Sequence, residues 1–128
     1  MNARILIVDD SPLVRQRLAM LLQQHENWEV CGEAVNGFEA IQKAKQLQPD
    51  LIVMDFLMPG MNGLQAAREI GLQVPAIPIL MFTMHMSKQL MEEAKSAGVR
   101  GAVAKTDVGK VIEGVESLLR DEVFFGSA

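Results

Sequence analysis

The chain has a single cysteine, Cys31. One thiol cannot close an internal disulfide, and alone it cannot build a zinc site. No apolar run approaches the ~18–20 residues that span a bilayer. Met1 is followed quickly by a charged, strand-like stretch, which is not a signal peptide's apolar region and cleavage site. Basic surplus is also missing: 12 Lys and Arg stand against 16 Asp and Glu, a net charge of −4. This excludes the electrostatic footprint of a nucleic-acid binder. No internal repeat and no low-complexity tract is visible. With 49% hydrophobic and 22% charged residues, disorder is excluded as well. What remains is a small cytoplasmic domain with no membrane segment. At 128 residues it is one domain, and it is long enough to bury roughly two-thirds of its unfolded surface.

Short apolar runs recur along the chain and stop abruptly. Arg4-Ile5-Leu6-Ile7-Val8 ends at Asp9-Asp10, and Leu51-Ile52-Val53-Met54 ends at Asp55. Ile77-Pro78-Ile79-Leu80-Met81-Phe82 ends at Thr83, and Gly101-Ala102-Val103-Ala104 ends at Lys105. Continuous apolar runs of this length suit strands buried on both faces, as in a parallel sheet. Trp28 to Glu33 alternates and reads as an edge strand.

Helical segments lie between the runs. Ser11 is a good N-cap and Pro12 suits the first helical position; Val14, Leu18, Leu21 and Leu22 then share a face. A second helix is expected from Gly37 to Leu47, with Phe38, Ile41, Ala44 and Leu47 three residues apart, and a short third from Gly63 to Ile70. Ser87 caps a fourth that runs to Ala97 and is stopped by Gly98. Asp107 is expected to cap a fifth, with Val108, Val111, Ile112, Val115 and Leu118 inward and Gly109 and Gly114 weakening it by about 1 kcal/mol each.

Five strands alternating with five helices imply an α/β fold: a parallel sheet with helices on both faces. Sites in such sheets form at the carboxyl ends of the strands. Asp9, Asp10, Asp55, Thr83 and Lys105 all sit at such ends and are expected to converge. Singly, each has an ordinary role as turn, cap or solvated residue. Together they make a phosphoryl site. Three carboxylates at one edge repel unless one takes a proton or a cation joins them. Mg²⁺ prefers oxygen ligands and keeps open positions that a phosphoryl oxygen can fill. Lys105 supplies a positive charge and Thr83 a hydroxyl donor for the remaining oxygens. A carboxylate in such a cluster can itself be the nucleophile.

These stretches, with Met58-Pro59-Gly60-Met61-Asn62-Gly63, resemble the receiver domain of two-component response regulators over residues 3–120. The resemblance implies a flavodoxin-like (βα)5 three-layer sandwich with strand order 2-1-3-4-5. It implies Asp55 as phosphoacceptor, with Lys105 and Thr83 as phosphoryl partners. It implies a Mg²⁺ site of Asp9, Asp10, Asp55 and the backbone carbonyl of Leu57. The donor would be the phosphohistidine of a sensor histidine kinase. The chain itself would be a switch, not an enzyme. Thr83-Met84-His85 and the lack of proline after Lys105 resemble receivers that precede a LuxR-type helix-turn-helix output domain. On this reading residues 1–121 are the receiver and residues 122–128 a short tail or the start of a linker, with Glu122-Val123-Phe124-Phe125 similar to that linker. The chain is then a stand-alone receiver or the receiver part of a transcriptional regulator. No helix-turn-helix pattern lies in these residues, so no direct nucleic-acid binding by them is expected.

One position departs from the family. Ala102 stands where relatives usually carry an aromatic switch residue, and alanine has no rotamer to change. Met84 and His85 are then expected at the rim of the site, in a loop that moves as a backbone unit. Homodimerisation is expected through the first and fifth helices or through the fourth helix, fifth strand and fifth helix. Six of the nine methionines fall within residues 54–86 and are read mostly as core and loop filler. His25, at the end of the first helix, suits the helix dipole. A pseudo-receiver scaffold and a Mg²⁺-dependent phosphatase are the alternatives. Leu57 stands where the phosphatase motif places a second aspartate, and the intact acidic cluster and lysine oppose the scaffold.

Overall fold

The computed structural model describes residues 2–125. In chain order the elements are β1 (Ala3–Val8), α1 (Pro12–Gln23), β2 (Trp28–Ala34), α2 (Gly37–Leu47), β3 (Leu51–Met54), α3 (Gly63–Gln73), β4 (Ile79–Thr83), α4 (Lys88–Ser96), β5 (Gly101–Ala104), α5 (Lys110–Leu119) and β6 (Phe124–Phe125). All neighbouring strands pair in parallel, in the order β2-β1-β3-β4-β5-β6. This is the flavodoxin-like order expected, with one strand added at the edge.

The continuous apolar runs have a simple cause. Successive side chains of a strand point to opposite faces, and here both faces are covered. Leu6, Val8, Ile52, Met54, Ile79, Met81 and Ala102 enter one core with α2, α3 and α4. Ile5, Ile7, Leu51, Val53, Leu80, Phe82 and Val103 enter the other with α1 and α5. Among the described residues no helix is long and apolar enough to cross a membrane.

Ser11 and Ser87 cap α1 and α4 as expected, and Asn36 caps α2. The Ser11, Asn36 and Ser87 side chains accept from the Val14, Glu39 and Leu90 amides. Asn62 and Gln65 form a reciprocal capping box at the start of α3.

Several boundaries differ from expectation. β4 begins at Ile79 rather than Ile77, because Pro78 has no N–H for the ladder, although its carbonyl accepts from Ile52. α3 runs one turn past Ile70, to Gln73, closed by the Val74 amide on the Ile70 carbonyl. Asp107 does not cap α5. Residues 107–109 form a turn, Gly109 is the N-cap with no side-chain hydrogen bond, and Val108 is 43% exposed. Phe38 is also exposed, and Ala40 and Ala44 are the fully buried residues of α2. His25 stacks on Trp28, with ring centroids 3.8 Å apart, and its Nδ1 accepts from the Asn27 amide rather than serving the α1 terminus. Finally, Phe124 and Phe125, read as tail or linker, pair with Gly101 and Ala102 as β6.

Candidate functional site

The parallel strands carry their carboxyl ends to one edge, and that edge is acidic. Asp9 follows β1 and is 1% exposed; Asp55 follows β3 and is 6% exposed. Asp10 is exposed. Carboxylate oxygens of Asp9, Asp10 and Asp55 all lie within 4.8 Å of one another.

The backbone fixes this cluster. The Asp55 amide donates to the Val8 carbonyl at 2.9 Å, which ties the end of β3 to the end of β1. Asp9 Oδ1 accepts from the Ser11 amide at 2.9 Å, and the Asp9 carbonyl accepts from Arg15 Nη1 at 2.7 Å. The Gly63 amide donates to the Phe56 carbonyl at 2.7 Å, so α3 starts directly against the segment after Asp55. A Cβ on Gly63 would lie inside the contact shell of the Asp55 carbonyl and 3.0 Å from Phe56 Cα. Only glycine fits there without a shift.

Lys105, just after β5, reaches across the edge. Its Nζ lies 2.8 Å from Asp9 Oδ2 and 3.3 Å from Asp55 Oδ2, and 5.9 Å from the centre of the Phe82 ring. Asp9 Oδ2 is thus buried against the Lys105 ammonium and accepts from no backbone amide.

The charges perturb one another. Burial, and then the neighbouring Asp9 charge, push the Asp55 carboxyl above the ordinary carboxylate range; Lys105 only partly offsets them. Burial alone would lower the Lys105 pKa, but its contacts with Asp9 and Asp55 outweigh it and hold the ammonium above the usual lysine value. One cation thus serves two buried acids beside a third, exposed one. An all-oxygen cluster of three carboxylates with one lysine to offset them fits a hard divalent cation.

Thr83 closes β4, is 1% exposed and pairs with Ala104 of β5. Its carbonyl accepts from the Lys105 amide at 2.8 Å. Its Oγ1 accepts from the His85 amide at 3.3 Å, which leaves the hydroxyl proton free to donate. Met84 and His85 are exposed in the loop that follows, and Leu57 is exposed in the loop after Asp55. Ala102 is fully buried and is paired in register with Phe125 of the neighbouring strand β6.

The strand-end reading thus brings together Asp9, Asp10, Asp55 and Lys105 and sets Thr83 on the same sheet edge. It missed the supports. Arg15 and Phe82 carry no local signal, since one acts from the first turn of α1 and the other from the penultimate residue of β4. Gly63 was quoted only as part of a loop stretch, and its steric role appears once α3 is seen against Asp55.

The profile of the response regulator receiver domain matches residues 5–116. The chain is 37% identical over 126 residues to the response regulator protein VraR of Staphylococcus aureus, covering 98% of this chain and 60% of that protein. It is 40% identical over 102 residues to the transcriptional regulatory protein LnrK of Bacillus subtilis, covering 80% of this chain and 46% of that protein. A crystal structure of a LuxR-family two-component response regulator from Aurantimonas sp. SI85-9A1 superposes with a TM-score of 0.94 at 33% identity, covering 98% of this chain and 90% of that one. The chain therefore spans less than two-thirds of the length of both curated relatives.

Proposed function

Because the chain belongs to the response regulator receiver family, we propose that it is a phosphorylation-dependent switch whose phosphoacceptor is Asp55. The observation that carries this reading is the position of Asp55. It ends a central strand, is nearly buried, lies 3.3 Å from Lys105 and shares its surroundings with the Asp9 and Asp10 carboxylates.

A sensor histidine kinase supplies the phosphoryl group. An Asp55 carboxylate oxygen attacks phosphorus and a P–O bond forms. The P–N bond to the donor imidazole breaks, and its electron pair leaves with nitrogen. The burial that raises the Asp55 pKa also makes this carboxylate more basic and a better nucleophile than an exposed one. Lys105 moves from its bridge between two acids toward the phosphoryl oxygens. The free Thr83 hydroxyl proton donates to another. Asp9, Asp10 and Asp55, with the Leu57 carbonyl, would hold Mg²⁺. When bound, Mg²⁺ neutralises charge that builds on the phosphoryl oxygens.

The receiver reading takes residues 1–121 as the switch itself, with β6 pairing onto its sheet edge just beyond them. Its output is transcriptional control, as the name of LnrK supports. Partner choice and self-association fall to the α1–α5 or the α4–β5–α5 surface, with Met84 and His85 at the rim. Cytoplasmic signalling is the setting that fits.

The test is incubation with acetyl phosphate and Mg²⁺, followed by intact mass and peptide mapping. One phosphoryl group on Asp55, absent from Asp55→Asn, is the expected result. Label on Asp9, Asp10, His25 or His85 refutes the assignment.

A further inference from the structure

We propose that β6 is a latch that opens when Asp55 is phosphorylated, an inference that rests on the phosphoacceptor reading above. β6 straddles the edge of the sheet, with one ring on each layer. Phe125 pairs with Ala102 and packs on the core shared with α4. Lys95, near the end of α4, lies 4.8 Å from the centre of the Phe125 ring. Phe124 turns to the other face, where two glycines make its room. A Cβ on Gly101 would come within 2.7 Å of the Phe124 carbonyl, and one on Gly114 within 3.2 Å of its ring. β6 thus joins three elements: α4 through the cation over the ring, β5 through the ladder, and α5 through Phe124.

The grip is light. The strand has two residues, both half-buried. Phe124 donates to the Arg100 carbonyl, Glu122 to the Ser117 carbonyl, and Arg100 Nη2 to the Asp121 carbonyl. The chain enters β6 through Asp121 at φ +62°, a left-handed conformation that costs a non-glycine residue energy. Short, strained edge segments lie at the low end of local stability and open first.

The latch is placed to sense the site. α4 begins at the Ser87 cap, four residues after Thr83, and among the helices it is the one least closely backed by other elements. A Thr83 drawn toward a phosphoryl group pulls the loop at residues 84–87 and the start of α4. The helix moves as one body, so Lys95 leaves the face of Phe125. The Ala102 methyl group is too small to hold the ring in place by itself, and β6 releases. The aromatic ring that Ala102 lacks is supplied here from a different strand.

The test uses the whole chain, with hydrogen exchange read at Phe124 and at residues 83–90, with and without beryllofluoride plus Mg²⁺. Acetyl phosphate labelling runs in parallel. Exchange at Phe124 is expected to rise roughly fivefold or more on beryllofluoride binding. Coupling is reciprocal, so Phe125→Ala should tighten beryllofluoride binding by a similar factor. Lys95→Met, which keeps the stem and removes the charge, should do so to a smaller degree. Val123→Ala, at a side chain 61% exposed, should change neither. Labelled Asp55 with unchanged Phe124 exchange overturns the latch and leaves the phosphoacceptor intact. Faster exchange in Phe125→Ala or Lys95→Met without tighter beryllofluoride binding makes β6 a frayed end and also overturns it. No label on Asp55 overturns both readings.

Discussion

Gly63→Ala is expected to destabilise the domain although it adds a good helix former. Alanine gains about 0.5–1 kcal/mol over glycine inside a helix. At Gly63 the new methyl group would enter the contact shell of the Asp55 carbonyl and stand 3.0 Å from Phe56 Cα and 3.2 Å from the Asp55 carbonyl carbon. Comfortable carbon contacts begin near ~3.5 Å. The neighbours are backbone at the end of a central strand and cannot rotate away, so α3 must retreat. Overpacking of this kind costs about 1–3 kcal/mol. The retreat also stretches the bond from the Gly63 amide to the Phe56 carbonyl, worth about 1 kcal/mol. The net loss is about 1–3 kcal/mol, which for a domain of this size lowers Tm by roughly 5–10 °C. Gly71→Ala, in the same helix but with no heavy atom within 4 Å of the new Cβ, is the internal comparison and should gain about 0.5–1 kcal/mol. Thermal and urea unfolding of both variants give the signs. Acetyl phosphate labelling should also slow in Gly63→Ala, because Asp55 shifts with its carbonyl. Unchanged stability and labelling in Gly63→Ala would refute the idea that the start of α3 wedges Asp55 in place.

Without Mg²⁺, Asp55→Asn should raise the urea midpoint at pH 7.5. The folded pKa of Asp55 lies above its unfolded value, so its contribution is fully present below the unfolded pKa and is lost as pH rises through the folded one. The advantage of the asparagine variant should therefore shrink as pH falls into the carboxylate range. Lys105→Met should act in the opposite direction, costing roughly 3 kcal/mol at neutral pH, because two buried acids lose their shared cation. An unchanged midpoint in that variant would mean that the bridge contributes nothing. Mg²⁺ at about a hundred times its Kd should stabilise the native chain by about 2.7 kcal/mol. The same titration of Asp10→Asn or Asp55→Asn should show little shift, and undiminished stabilisation in both would remove them from the metal site.

The strand ends were legible because burial on both faces demands uninterrupted apolar residues. The polar residue that breaks each run therefore marks where the strand meets the site. Asp9, Asp55, Thr83 and Lys105 announce themselves in this way. The helix starts at Ser11 and Ser87 were legible because their caps are local chemistry. β6 was not legible. Two phenylalanines fit no periodicity, and their pairing depends on space left by Gly101 and Gly114, the second of which reads in sequence only as a flaw in α5. The start of α5 was misplaced for a related reason: Asp107 has the right residue type, but residues 107–109 fold into a turn before the helix begins. Phe38 shows the limit of spacing arguments, since alanines carry the buried face of α2 and the large ring is left outside.

The stacked pair His25 and Trp28 has a practical consequence. Trp28 is the only tryptophan and is 7% exposed. It opens β2, at the amino end of the sheet, whereas Asp9, Asp55 and Lys105 lie past the carboxyl ends. At about 3.3 Å per residue, the length of a strand separates the indole from the chemistry. Its emission therefore reports whether the domain is folded and is nearly deaf to the phosphoryl state. The chain carries an intrinsic gauge of stability, and its signalling state must be read with a probe placed at the opposite rim.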